Sequence, residues 1–505
     1  MSVRELPAHP NLEHLKNQAS TLLRQRLASD KEAIARFAAF GIVAEEPKHA
    51  DALHVIAREY GFETWPALKL HIEAASEDPM EAFTAAVKAN NPTLVRQLLG
   101  RHASLKTRIN QPLPNYGFEA PALIAAVNHG NREMIDVLLE AGADINARSQ
   151  WWAGSYGVLD SAQAELVPYL LSRGANLDIH AASRLGMIDR VRELLAANPQ
   201  LVHARGGDGQ FPLHFAATVE IAQLLLDAGA DIDGRDIDHE STAVQYMVSI
   251  RPHRHDVAKY LISRGAAADL FAAAAVGDLA LVERIVNDDP ETVRMLVNER
   301  HFPKRDERSG GTIYIYGFGI TKSPHMIANQ FGHKAIFDLL MQRSAPWLRL
   351  VHAAEVGDES LAQQILQQHP TLFTRLTSNA ARRIVGVAVR NNTRAMQLLL
   401  SSGWPPNAVL ENNQTALHFA AWHGNIAMVR ELLSHNAPVN VFEAQYGGSP
   451  LGWTLHGSLN SWERERGDYP AVAKALLAAG ATIPKSDRPL EAAEDVLEII
   501  RQHAA

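Results

Sequence analysis

A few ionisable and aromatic side chains carry what chemistry this 505-residue sequence offers. Ser149-Gln150-Trp151-Trp152-Ala153-Gly154-Ser155-Tyr156-Gly157-Val158-Leu159-Asp160 crowds three large aromatics, Trp151, Trp152 and Tyr156, ahead of a carboxylate. Asp236-Ile237-Asp238-His239-Glu240 sets three ionisable groups, Asp238, His239 and Glu240, in a row. Gly310-Gly311-Thr312-Ile313-Tyr314-Ile315-Tyr316-Gly317 reads as a short β-strand bounded by glycines, with Tyr314 and Tyr316 on one face, and leads to Pro324-His325. Tyr446-Gly447-Gly448 has Trp453, His456, Asn460 and Trp462 behind it. Carboxylates and a histidine between aromatic walls are the parts of a small-molecule site. Two carboxylates about 5 to 10 Å apart also support acid–base chemistry of the glycoside-hydrolase kind. The catalytic candidates are therefore Asp160, Asp238, Glu240 and His325. Each group also has a plainer role: Trp151 and Trp152 as packing over an edge, Asp238 and Glu240 as solvated turn carboxylates, His325 as a core histidine, and the tyrosines as loop packing.

Other chemistries are absent from the sequence. There is no cysteine, which excludes disulfides, thiolate metal sites and thiol nucleophiles. His352-x-x-Glu355 spaces two ligands a helical turn apart, but no second pair completes a metal site. Arg251-Pro252-His253-Arg254-His255 reads as a solvated loop, and Gly317-x-Gly319 lacks the dinucleotide-binding context. No metal and no cofactor is expected. The net charge of −8 is spread along the chain, so no basic face invites nucleic acid. The alanine-rich run 270–276 is far shorter than the roughly 20 residues that span a bilayer. Residues 1–7 lack the apolar core of a secretory signal. No membrane association and a cytoplasmic location are expected.

The elements that must position these groups repeat. Thr415-Ala416-Leu417-His418-Phe419-Ala420-Ala421-Trp422-His423-Gly424 is followed by a helical run through Leu432-Leu433, and degenerate copies recur. Pro121-Ala122-Leu123 leads to Gly130, Phe211-Pro212-Leu213-His214 opens another unit, and Ser323-Pro324-His325 leads to Gly332. Paired leucines mark the second helices, as at Leu138-Leu139, Leu225-Leu226 and Leu399-Leu400, and several units end in Gly-Ala. A lone helix pair cannot bury its apolar stripe, so such units stack and share a core.

The motif Thr415-Ala416-Leu417-His418-x-Ala420-Ala421-x-x-Gly424 resembles the ankyrin-repeat family, whose period is roughly 33 residues. The chain also resembles long bacterial ankyrin-repeat proteins that pair a Gly-Phe-x-x-Trp-Pro-x-Leu-Lys segment, here Gly61 through Lys69, with irregular fingers. The expected fold is all-α: a curved ankyrin-repeat solenoid of about twelve units, with irregular β-hairpin fingers and helical caps. Its expected parts are a helical capping domain over 1–76, the array over 77–484 and a capping helix over 485–505, opened by Pro489. The histidines of the motif, His214 and His418, are expected to bond between adjacent loops.

The resemblance implies recognition of a protein or peptide partner on a concave face. Counting back from each repeat glycine places Asn128, Arg184, Phe331, Glu355, Arg390, Asn391, Trp422, His423 and His456 on that face. The surface is aromatic and hydrogen-bonding. The competing expectation is a small-molecule protein or enzyme, a hydrolase or lyase acting on a carbohydrate-like or cyclic substrate, with walls of Trp151, Trp152, Tyr156, Tyr314, Tyr316 and Trp453.

Overall fold

The computed structural model describes residues 4, 6, 12–44, 47–73, 79–484 and 490–504. The expected boundaries at 76/77 and 484/485, and Pro489 as a helix start, lie outside those residues. The chain forms two compact units, Met1–Ala230 and Asp231–Ala505.

In the first unit, helices Leu12–Leu27, Lys31–Ala38, His49–Glu59 and Trp65–Glu73 enclose a small core of their own. The apolar positions Leu15, Ala19 and Leu22 recur at helical spacing and are buried there with Phe37, Val55 and Leu68. Short helix pairs follow, such as Ala122–Asn128 with Arg132–Glu140, and share a second core running from Met80 to Ala181.

The second unit repeats that plan. Helix Ala416–Trp422 packs against its own partner Ile426–Ser434 and against the first helices of neighbouring pairs, Arg383–Val389 and Pro450–Asn460. Local chemistry explains the boundaries. Thr415 caps its helix by accepting from the His418 amide, and Asn425 caps the next by accepting from Met428. Gly277 and Gly357 end their helices in the left-handed conformation that glycine adopts without cost. The His418 Nε2–H donates to the Gly448 carbonyl of the following loop at 3.2 Å, as expected for a loop-to-loop tie.

Helix is the regular structure of the described residues, and no strand occurs among them. Antiparallel pairing there is limited to isolated bridges, Pro112 with Pro121, Arg235 with Thr242 and Val409 with Thr415. The strand expected between the glycines of 310–317 is instead a helical turn, Tyr314–Gly317. Local bonds account for it: the Tyr316 and Gly317 amides both donate to the Ile313 carbonyl, at 3.1 and 3.0 Å. Gly317 also lies so close to the Ser249 backbone that a Cβ there would meet its carbonyl oxygen at 2.5 Å. The two tyrosines consequently part company, with Tyr314 fully buried and Tyr316 60% exposed.

Candidate functional site

The loops at 236–242 and 301–318 of the second unit join. Asp236 is buried and organises the first loop, accepting from the His239 amide at 2.7 Å, the Ser241 amide at 2.6 Å and the Tyr246 hydroxyl at 3.1 Å. Burial pushes its pKa up to about 6, against the pull of those bonds. Asp238 reaches across: its Oδ1 and its backbone carbonyl both accept from the Gly310 amide at 2.9 Å. Glu240 accepts from the Arg305 amide at 2.8 Å and the Asp306 amide at 2.9 Å. The His239 Nδ1–H donates to the Gly311 carbonyl at 3.0 Å, and its ring lies 4.8 Å from that of Tyr316. The Tyr314 hydroxyl donates to Asp269 at 3.0 Å, deep beside Gln245. A cleft of about 260 Å³ opens between the loops, lined by Arg235, His239, Glu240, His301 and Lys304 among others.

In the first unit, Asp160 folds back on its own helical turn. Its Oδ2 accepts from the Gly157 amide at 2.6 Å and from Arg148 at 3.4 Å, while burial raises its pKa. Phe118 sits edge-on to Trp151 and Tyr156, with ring centroids 5.3 and 5.1 Å away, and Trp152 lies 6.2 Å from Trp151. The Tyr156 ring presses on Gly207, where a Cβ would come within 2.1 Å of it. Tyr156 thus packs against the loop 206–209, with Phe118 at its own edge.

His325 stands where the motif has leucine, and faces inward. It is fully buried, 2.9 Å from the Ser344 hydroxyl, and stacked on His352 at 4.0 Å. Burial, then the neighbouring His352, holds its pKa well below the usual range, so it is neutral. His352 in turn sits 2.7 Å from Glu355, which pairs with Arg390.

The remaining candidates assemble near the end of the second unit. Trp422 has three aromatic neighbours, His456 at 5.6 Å, Trp462 at 5.8 Å and Trp453 at 6.2 Å. Trp453 also meets His418 and Phe419 edge-on. Asn460 donates to the His456 carbonyl at 3.0 Å, one turn back on the same helix. His423 is buried, tied to the Val389 carbonyl at 3.1 Å and 5.8 Å from Trp462. Trp462 is 74% exposed and Leu459 is 40% exposed. The Tyr469 hydroxyl, bonded to the Trp422 carbonyl at 2.9 Å, anchors the patch from behind.

A larger cavity of about 720 Å³ in the same unit is lined by Arg294, Arg300, Trp347, Arg382, Arg383 and Arg390, among others. Sequence reasoning reached only Arg390 of these six. The adjacent Arg382-Arg383 at the head of a repeat lacking the Thr-Pro-Leu-His pattern was the available signal. Arg294 and Arg300 belong to a different repeat, so nothing local links them to it.

Comparison with known proteins supports the repeat assignment. Family profiles match at three places: ankyrin repeat at 120–150, ankyrin repeats (3 copies) at 179–272, and ankyrin repeats (many copies) at 386–433. The ankyrin repeat and SAM domain-containing protein 6 of Mus musculus is 32% identical over 124 residues, covering 24% of this chain and 14% of that protein. Its Rattus norvegicus counterpart matches equally, at 32% over 124 residues. The E3 ubiquitin-protein ligase XB3 of Oryza sativa subsp. japonica is 28% identical over 136 residues, 27% of this chain and 28% of that protein. The similarity is thus confined to a minor part of each relative. No helix among the described residues is long and apolar enough to cross a membrane. At residues 120–150, 179–272 and 386–433 the chain carries ankyrin repeats, a module that generally serves protein interaction.

Proposed function

We propose that this chain is a recognition protein, and that it takes a peptide or protein segment across the surface of Trp422, His456, Asn460 and Trp462. The carrying observation is the exposure of Trp462, 74% open to solvent at the rim of an aromatic cluster. An indole left wet on a braced platform loses little freedom on binding and offers a large apolar face, the character of interface hot spots. The His456 ring and the Asn460 amide supply hydrogen bonds beside it. The expected concave face is where this surface would lie in a curved array.

Recognition fits better than acid–base chemistry on the loops. Asp160, Asp238 and Glu240 are each committed to backbone amides that hold the loops in place, and His325 is sealed in the core. A general acid or base must reach a substrate proton.

Selection of displayed random peptides against the full chain tests the proposal. Binders should be enriched, and Trp462→Ala should weaken the selected peptide by about tenfold or more, as for a buried tryptophan anchor. Peptides that bind equally to wild type and to both Trp462→Ala and Trp422→Ala would place recognition elsewhere. Failure to enrich any peptide would overturn the proposal.

A further inference from the structure

The 720 Å³ cavity of the second unit shares no lining residue with the Trp422 surface and has a different character. Its charges are unequal. Arg294 pairs with Glu291 at 2.7 Å, Arg382 with Glu411 at 2.6 Å, Arg300 with the same Glu411 at 3.9 Å, and Arg390 with Glu355. Arg383 has no carboxylate partner among the described residues. Its guanidinium donates to the Arg294 backbone carbonyl and lies 5.8 Å from the centre of the Trp347 ring.

A guanidinium so placed is electrostatically under-compensated. Burial, followed by the fields of Arg294 and Arg300, lowers the Arg383 pKa to about 10, which still leaves it charged at neutral pH. The same field reaches the histidines of the wall. His301 is pushed down by burial and then by Arg383 and Arg300, and His352 by burial and then by Arg383 and Arg390. Burial is the largest cause of each of these shifts, and at His301, His352 and Arg383 neighbouring arginines add to it in the same direction, whereas Arg390 is lowered by burial alone. A volume of 720 Å³ falls within the roughly 300 to 1,000 Å³ typical of small-molecule pockets. Apolar surface from Met295, Trp347, Val351 and Leu410 completes the lining.

We propose that this cavity binds a small organic oxyanion, whose carboxylate or phosphate head is taken by Arg383 between Arg294 and Arg300, while its apolar body rests against Trp347 and Leu410. The planar fork of arginine matches either head in a bidentate manner. Thr377 and Asn379 on the same wall add neutral hydrogen-bonding groups.

Calorimetric titration of the full chain with phenyl phosphate, benzoate, inorganic phosphate and neutral benzyl alcohol provides the test. At least one aromatic anion should bind saturably, more tightly than inorganic phosphate and benzyl alcohol, and less tightly as salt is raised. Phenyl phosphate against benzoate distinguishes the two head groups. Arg383→Gln should weaken binding at least about tenfold, the loss expected when a charged hydrogen bond is removed. Arg300→Gln, whose side chain is 65% exposed and so leaves the fold intact, should weaken it by a smaller factor. Arg343→Gln, outside the cavity, should change nothing. Absence of saturable binding by every anion, equal binding of benzyl alcohol, or full affinity in both Arg383→Gln and Arg300→Gln would overturn the proposal.

Discussion

The repeat at 415–433 and the joined loops at 236–242 and 301–318 satisfy their polar groups over different ranges. In the repeat the capping bonds are short, Thr415 with His418 and Asn425 with Met428 each three residues apart, and the ties beyond them reach only to the neighbouring repeat, as from His418 to Gly448. In the joined loops, Asp238 meets Gly310 across 72 residues and Glu240 meets Asp306 across 66. Short-range bonds form whenever the helix forms. Long-range ones require two loops to be ordered at once, so each polar group there stands to lose more when its partner is removed.

The widest gap between the two regions should appear at Asp236, whose own bonds are local but hold the first loop in the shape that brings Asp238 and Glu240 to the second. Its carboxylate accepts from two buried backbone amides and a hydroxyl, so Asp236→Ala leaves several donors without partners in a place that water does not reach. Stranding them should cost on the order of 3 kcal/mol. The loss should appear in urea unfolding, and hydrogen exchange should speed up at His239, Ser241 and the opposing residues 309–313. Protection unchanged at 309–313 would mean that the two loops do not order each other.

A smaller effect follows from the raised pKa of the same group. The folded state holds a proton on Asp236 up to about pH 6, whereas the unfolded chain releases it near the ordinary aspartate value of 3.8. Between those values the native state binds more protons, so stability rises as pH falls through about 6 and the gain is complete below 3.8. Lowering the pH from 7 to 5 should add roughly 1.5 kcal/mol through this residue. The increment is read as the difference between wild type and Asp236→Asn at the two pH values. An equal pH response in both proteins would locate the effect in other groups.

The contrast also explains what could be read in the sequence. The repeat pattern and the loop-to-loop role of His418 follow from residues within about one repeat of each other, and both were legible. So was the inward position of His325. The nearness of Trp422 to His456 was legible in part, because counting back from the repeat glycines assigns both the same position in their units, whereas the arrival of Trp453 and Trp462 beside Trp422 was not. The turn at Tyr314–Gly317 was misread as a strand, since alternating Tyr and Ile suits a pleat while the close approach of Ser249 to Gly317 is invisible in one dimension. The roles of Asp238 and Glu240 as acceptors for distant amides were hidden for the same reason. Arg383 gave only the faint sign of an arginine pair at the head of an irregular repeat, because its significance lies in a carboxylate partner that it lacks among the described residues.

Thr415→Ala should produce the smallest change and bound the comparison from below. Its hydroxyl accepts from the His418 amide at 3.4 Å and lies 2.8 Å from the His418 Nδ1. Alanine removes both contacts but leaves the Thr415 amide donating to His418 Nδ1 at 3.1 Å, so the imidazole keeps its orientation and its bond to Gly448. The loss should be about 1 kcal/mol, that of an ordinary helix N-cap. Faster hydrogen exchange should be confined to the first turn of Ala416–Trp422, because the cap is one bond within one helix. Exchange that spreads to residues 448–452 would show that the cap also fixes the next loop through His418, and would bring the regular repeat closer to the behaviour of the joined loops.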